Sequence, residues 1–276
     1  MVKDRLKIFA LIGYPVGHTL SPYMHNAAFS KLKIKALYIP LSVEPKRLRQ
    51  TIKILKDANI GGFNVTIPFK SICMRYLDRV DKLASMIGAV NTVVVKGKRL
   101  IGYNTDATGF LKSLKEDLKF TPKNKSVLLI GAGGAARAVA FALAKEGAKK
   151  IFITDIVKTK AVSLAKNIRK YFPKCKIKST TNYDIDLLVN ATPLGMKKSD
   201  PLLVNPKLLH NRLSIYDIVY NPSPTKFVKT AKKRKIKAVN GLGMLLYQGA
   251  EAFKLWTGRR APVAVMRKTL LEHIPC

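Results

Sequence analysis

Val127-Leu128-Leu129-Ile130-Gly131-Ala132-Gly133-Gly134-Ala135-Ala136 is the stretch whose reading decides the fold. Val127–Ile130 is short, apolar and closed by glycine, as a buried strand is. The apolar character runs on to Ala144 and imitates a membrane span, but the Gly-Ala-Gly-Gly block and Arg137 interrupt it. The better reading is a buried strand, a glycine turn and a buried helix that stops at Gly147. Gly131 to Ala136 fits G-x-G-x-x-A in that context. Gly131 permits a tight turn, Gly133 lets backbone approach a pyrophosphate, and Ala136 allows close packing of helix on strand. The helix start then offers free N–H groups and a positive dipole to phosphate. Gly131, Ala132, Gly133, Gly134 and Ala135 are therefore the candidate dinucleotide cradle, against the alternative of a glycine turn that holds no ligand.

Asp155 ends the following strand, 24 residues after Gly131. A carboxylate there can accept hydrogen bonds from an adenosine ribose and repels a 2′-phosphate. No arginine adjoins it, since Ile156 and Val157 follow. The spacing predicts NAD over NADP. Two facts leave alternatives open. Asp155 can instead cap the helix that begins near Lys158, and Lys158 and Lys160 can reach a phosphate.

Outward from this centre, strand-like runs alternate with amphipathic helical ones, which predicts α/β architecture with mainly parallel sheets. Strands are expected at Lys7–Gly13, Ala36–Val43 and Gly62–Ile67, with helices at Pro22–Leu32, Pro45–Ala58 and from about Phe69. Val93–Val95 and Leu100–Ile101 read as a hairpin. A new βαβ series runs from Ser126 to Tyr171, and strands follow at Asp186–Asn190, Ser214–Val219 and Ile236–Val239. Helices close the chain at about Gly243–Trp256 and Pro262–His273.

The 276 residues suffice for one large domain or two ordinary ones, and 47% hydrophobic with 24% charged residues is globular composition. The apolar N-terminal run Ile8–Ile12 is too short for a signal peptide, which points to the cytoplasm. Cys73, Cys175 and Cys276 have neither metal nor redox spacing, and the four histidines form no ligand pattern. No metal is expected. The net charge of +35 exceeds what a single anionic substrate and a dinucleotide require. Its basic residues are spread along the chain without interleaved aromatics, so a solvated lysine-rich surface is favoured over a nucleic-acid or membrane surface.

Seven further segments are too polar for mere connectors: Gly13–Pro22, Gly62–Lys70, Gly88–Thr92, Gly102–Asp106, Asn190–Met196, Asp217–Pro222 and Asn240–Gln248. Read singly, each residue in them has an ordinary alternative. Ser21 before Pro22 can cap a helix, and so can Asp106 before Ala107. Asn64 and Asn91 can satisfy loop backbone, while Lys70 and Gln248 can be surface positions. Taken in order and spacing, from Ile12 to about Gly258, the segments closely resemble the shikimate dehydrogenase family.

The resemblance implies two α/β domains: a substrate domain of residues 1–106 with 241–276 returning to it, and a Rossmann-like dinucleotide-binding domain of residues 107–240. It implies an NAD(P)-dependent dehydrogenase acting on a CH–OH group, which reduces 3-dehydroshikimate to shikimate in aromatic amino-acid biosynthesis. Lys70 and Asp106 match the catalytic pair. Thr19, Ser21, Thr66, Asn91, Tyr220 and Gln248 match positions that hold the substrate. Ile218 and Gly241 match the nicotinamide side. The chemistry agrees, because an ammonium beside a ring ketone can polarise it and donate a proton, and a neighbouring carboxylate orients that ammonium.

Two positions depart from the family. Thr19 stands where serine is usual. Asp155-Ile156-Val157 stands where NADP-using members usually carry Asn-Arg-Thr, which favours NAD and the quinate/shikimate dehydrogenase branch. The implied partner is a small molecule, shikimate or 3-dehydroshikimate and with them quinate, for a monomer or homodimer without specific nucleic acid or membrane. The competing readings are an NAD-dependent quinate/shikimate dehydrogenase and a catalytically idle, basic, anion-binding relative.

Overall fold

The computed structural model describes residues 6–178, 184–206 and 209–275. It divides into two compact units, Met1–Asp106 with Leu246–His273, and Ala107–Leu245 with Ile274–Cys276. The α/β expectation holds in both.

The first unit contains β1 (Lys7–Gly13), α1 (Ser21–Lys31), β2 (Ala36–Ser42), α2 (Leu48–Asp57), β3 (Gly62–Val65), β4 (Arg79–Val80), α3 (Lys82–Ile87), β5 (Thr92–Lys96) and β6 (Arg99–Tyr103). Its sheet has the order β2-β1-β3-β5-β6-β4. β1 runs parallel to both β2 and β3, while β5 is antiparallel to β3 and to β6. Alternation along the strands separates two faces. On one, Ala10, Ile12, Phe63, Val65 and Val93 pack with Leu48, Ile52 and Leu55 of α2. Those three leucine and isoleucine positions recur at helical spacing, which turns Arg49, Lys53 and Lys56 away from the core. Burying each contributes roughly 1.5–3 kcal/mol. The segment after Phe69 forms a 3-10 turn at Ile72–Tyr76 rather than the expected helix.

The second unit contains α4 (Asp106–Glu116, from Ala107 on), β7 (Ser126–Ile130), α5 (Gly134–Lys145), β8 (Lys150–Thr154), α6 (Lys158–Tyr171), β9 (Lys176–Lys178), β10 (Leu187–Asn190), β11 (Ser214–Asp217), α7 (Lys226–Lys233) and β12 (Lys237–Asn240). All six strands are parallel, in the order β12-β11-β10-β7-β8-β9. The apparent membrane span is β7 plus α5, as its glycines indicated. No helix among the described residues is long and apolar enough to cross a membrane. The chain closes with α8 (Leu242–Thr257), which passes from the second unit into the first at Leu245–Leu246, and α9 (Val263–His273).

The other face of the first sheet carries an aromatic cluster around His25 of α1. The imidazole stacks on Tyr38 with ring centroids 4.5 Å apart and lies 5.3 Å from Trp256. Both ring nitrogens are buried without a hydrogen-bond partner among the described residues. Burial pushes the His25 pKa down to about 3 from its ordinary 6.5. The unfolded chain therefore binds a proton that the folded chain refuses, so this contribution is complete above pH 6.5 and lost as pH falls toward 3. Urea denaturation across that window should show stability falling by about 1.4 kcal/mol per pH unit from this group. His25→Phe, which keeps the ring and removes the titration, should flatten the decline. Parallel curves for the two proteins would show that His25 takes no part in it.

Candidate active site

In the first unit the chain leaves β1 for β2 on one side and returns to β3 on the other. Strand order reverses between β1 and β3, and loops leaving such a point diverge into a crevice at the carboxyl ends. Thr19 and Ser21 follow β1, and Thr66 and Lys70 follow β3. Antiparallel β5 and β6 serve the same end from the opposite direction. Asn64 of β3 faces Thr92, and Thr92 faces Tyr103, so Asn91 just before β5 and Asp106 just after β6 come together there.

Asp106 Oδ2 accepts a hydrogen bond from Lys70 Nζ at 2.7 Å, and Oδ1 accepts one from Asn91 Nδ2 at 2.9 Å. The pair is well withdrawn from water, with side chains 15% (Lys70) and 5% (Asp106) exposed. Asn91 cannot be turned round. Its Oδ1 accepts the Thr105 backbone N–H at 2.7 Å, a group that only donates, so Nδ2 must face Asp106. The same Nδ2 lies 3.2 Å from Gln248 Oε1, which sets the orientation of that amide as well. Both Asp106 oxygens thus serve side-chain donors, and the carboxylate is more than a helix cap.

The cap reading of Ser21 also gives way. The helix begins at Ser21 itself, Leu20 occupies the cap position, and no side chain caps it. Thr19 Oγ1 instead accepts the Ser21 N–H at 3.3 Å. Thr66 is half-buried, and its methyl occupies the space a side chain at Gly13 would need. Two hydroxyl-bearing loops therefore flank an ammonium held by a carboxylate. Such a site can bind a polyhydroxylated anion and move a proton.

In the second unit the order reverses between β7 and β10. Gly131 has φ +112°, and a Cβ there would stand 2.7 Å from the Ala191 carbonyl oxygen. Only glycine fits. At Gly133 a Cβ would meet nothing within 4 Å, so the exposed backbone borders open space as a phosphate cradle must. Gly134 and Ala135 open α5, and Ala136 is fully buried against the strand. Ile218 donates its N–H to the Asn190 carbonyl at 2.9 Å, and Gly241 packs directly on the Ile218 carbonyl. Tyr220 lies half-buried in this second unit, after β11.

A polar cluster that sequence reasoning passed over organises these loops. Asp217 accepts from Asn190 Nδ2 (2.8 Å), Val219 N–H (3.1 Å) and Thr225 Oγ1 (2.7 Å). Burial pushes its carboxyl up to about 6, against the pull of those three donors. Its signal was a polar residue ending each of two otherwise apolar strands.

A lysine–aspartate pair at one strand-end crevice and a glycine cradle at another define a nicotinamide-dependent dehydrogenase acting on a CH–OH group. Residues 11–93 match the shikimate dehydrogenase substrate binding domain, 113–194 the shikimate/quinate 5-dehydrogenase model, and 241–271 the shikimate 5′-dehydrogenase C-terminal domain. The chain is 43% identical to a shikimate dehydrogenase (NADP(+)) of Methanopyrus kandleri over 99% of its own length and 98% of the relative's. A crystal structure of a shikimate dehydrogenase with NADP+ superposes with TM-score 0.92 at 41% identity, covering 100% of this chain and 98% of the other. A Thermus thermophilus shikimate 5-dehydrogenase with NADP(H) and shikimate gives TM-score 0.87 at 35% identity, covering 96% and 99%. The chain belongs to the shikimate dehydrogenase family.

Those relatives overturn the expectation of NAD over NADP. The structure supplies the physical reason. Asp155 Oδ2 accepts the Ala132 N–H at 2.7 Å and Oδ1 accepts the Val157 N–H at 2.8 Å. The carboxylate is committed to the glycine loop and its own turn, so its presence says little about the ribose. It does not cap α6 either, whose cap position is Val157 without a side-chain bond. Lys158 and Lys160 are exposed just beyond it.

Lys70→Ala should lower turnover by at least about a hundredfold, the range of a proton-transfer group, with dinucleotide affinity nearly unchanged. Near-native turnover would remove Lys70 from the chemistry. Gly133→Val should keep the melting temperature, since Gly133 has extended backbone at φ −74° and open space at its Cβ. Its dinucleotide dissociation constant should rise about tenfold or more through loss of the cradle. An unchanged constant would move the phosphates elsewhere.

Proposed function

We propose that this protein is an NADP-dependent shikimate dehydrogenase, which interconverts 3-dehydroshikimate and shikimate in aromatic amino-acid biosynthesis. The observation that carries the reading is the Lys70–Asp106 contact at 2.7 Å, shielded from water and braced by Asn91. Gly131–Ala135, with Ile218 and Gly241, would hold NADP(H), which would supply or accept the hydride when bound. The chain does the rest. Lys70 gives a proton to the ketone oxygen as the alcohol forms, and neutral lysine takes it back in the reverse direction. Asp106 keeps the ammonium aimed and accepts a hydrogen bond from a ring hydroxyl. Thr19 and Ser21 hold the substrate carboxylate, while Thr66, Asn91 and Gln248 hold its hydroxyls. The assignment of Tyr220 to the substrate rests on the family pattern. The methyl of Thr19, where serine is usual, narrows the carboxylate corner.

Lys158 and Lys160 are the residues of this chain that suit a 2′-phosphate. Crossing shikimate and quinate with NADP and NAD, and following the absorbance of reduced nicotinamide, tests the whole reading. Shikimate with NADP should give the highest specificity constant. A higher value for quinate, or no turnover with any pair, would displace it. Replacing both lysines by alanine should raise the dissociation constant of NADP about tenfold or more while leaving that of NAD within about twofold, because only the extra phosphate loses its counter-charge. Equal effects on both dinucleotides would place the 2′-phosphate on other groups.

A further inference from the structure

We propose that Thr92 is a positioning residue for the reaction, acting through Asn91; the inference rests on the dehydrogenase reading above. Thr92 is fully buried, and its side chain hydrogen-bonds to Asn64, Asn91 and Thr105 rather than to Lys70 or Asp106. It lies in a chain of polar side chains on the face of the first sheet that carries His25 and Trp256. Tyr38 Oη donates to Asn64 Oδ1 at 2.7 Å. Asn64 Nδ2 donates to the Asn91 carbonyl at 3.0 Å and to Thr92 Oγ1 at 2.9 Å. The Asn91 carbonyl can only accept, so the Asn64 amide has one orientation and Tyr38 must be the donor.

Thr92 Oγ1 then has one hydrogen left to place. Its acceptors are Asn91 Oδ1 at 3.2 Å and Thr105 Oγ1 at 3.1 Å. Thr105 Oγ1 itself accepts from Asn91 Nδ2 at 2.9 Å. Whichever acceptor it takes, the hydrogen ends on the amide that braces Asp106 or on that amide's immediate partner. Thr92 is the link between the strand interior and the catalytic carboxylate.

The hydroxyl has two tasks here, accepting the Asn64 amide and passing its own hydrogen toward Asn91. The strand continues Val93-Val94-Val95, and a valine at 92 would match the shape but leave the buried Asn64 amide without its Oγ1 acceptor. Valine also lacks the hydrogen that supports Asn91, directly or through Thr105 Oγ1, beside the shorter bond from the Thr105 N–H.

A double-mutant cycle with Asn91→Ala separates positioning from plain stability. Thr92→Val should lower kcat/KM for shikimate about tenfold, and Thr92→Ser, which restores the hydroxyl, should stay within about twofold of the parent. In the Asn91→Ala background, Thr92→Val should cost less than about a further twofold, because the group it acts through is gone. An equal loss in both backgrounds, or no loss in the parent, would overturn the proposal. Should Thr92→Val fail to fold, Tyr38→Phe interrupts the chain at its far end and should give about a threefold loss that also vanishes with Asn91→Ala. Calorimetric affinity for shikimate, measured on the same proteins, should follow the same pattern. A parent that binds shikimate but does not turn it over would sink the dehydrogenase reading alone, leaving the cycle to be read from affinity.

Discussion

Asp106 brings a negative charge to a place that water scarcely reaches, and the first unit is arranged around making that tolerable. Taking a carboxylate and an ammonium out of water costs several kcal/mol per ion, and mutual attraction compensates only when the remaining lone pairs are served. Lys70 serves one oxygen and Asn91 the other. The orientation of Asn91 comes in turn from the Thr105 N–H, and its surroundings from Thr92 and Asn64. None of these donors is adjustable once the register of β3, β5 and β6 is set. A slip of one residue would send Thr92 to the opposite face of the sheet and leave Asn64 with an unmet donor.

The second unit solves a related problem with the same means. Where parallel strands end, backbone N–H groups run out of ladder partners and short polar side chains take them over. Asp155 receives Ala132 and Val157, Asn190 receives Thr192, and Asp217 receives Val219. Each of these residues stands where an open α/β sheet binds its ligands. Shaping the loop and meeting the ligand are therefore tasks for the same few positions. That overlap is why Asp155 misleads as a cofactor indicator.

Legibility followed this division. The strand, glycine turn and helix from Ser126 to Lys145 could be read directly, because a tight turn beside a close backbone approach restricts the residue types. Lys70, Asp106, Asn91 and Gln248 each have an ordinary alternative when read singly, and only the resemblance of their segments, in order and spacing, to the shikimate dehydrogenase family gives them roles. The two-residue strand Arg79–Val80 could not, since only its pairing with β6 makes it a strand. The helix Lys226–Lys233 was missed although Thr225 caps it, because lysines mask its apolar positions Phe227, Val228 and Ala231. Thr92 draws no reading of its own, and Asn64 reads as satisfying loop backbone, for another reason. A polar residue inside a buried strand shows its purpose only when the register reveals what stands opposite.

The charge of +35 takes on meaning beside these hydrogen bonds. The chain has 16 acidic residues, eleven of them aspartate and five glutamate. Asp78, Asp81, Asp155, Asp186, Asp200 and Asp217 each accept from a backbone N–H, and Asp106 and Asp117 accept from buried or half-buried side chains. The acids that remain are largely those with a structural partner, and a short carboxylate suits such turns better than a long one. Ordinary surface acids such as Glu44, Asp57, Glu116 and Glu272 are few beside 51 lysines and arginines. The basic residues are spread along the chain, and a positive field of this kind would attract a carboxylate and a phosphorylated dinucleotide alike. The field of exposed charges is screened over about 10 Å at ordinary salt, whereas the Lys70–Asp106 pair, withdrawn from solvent, is screened much less. Salt thus weakens any attraction of the exterior for anions far more than it weakens the Lys70–Asp106 pair.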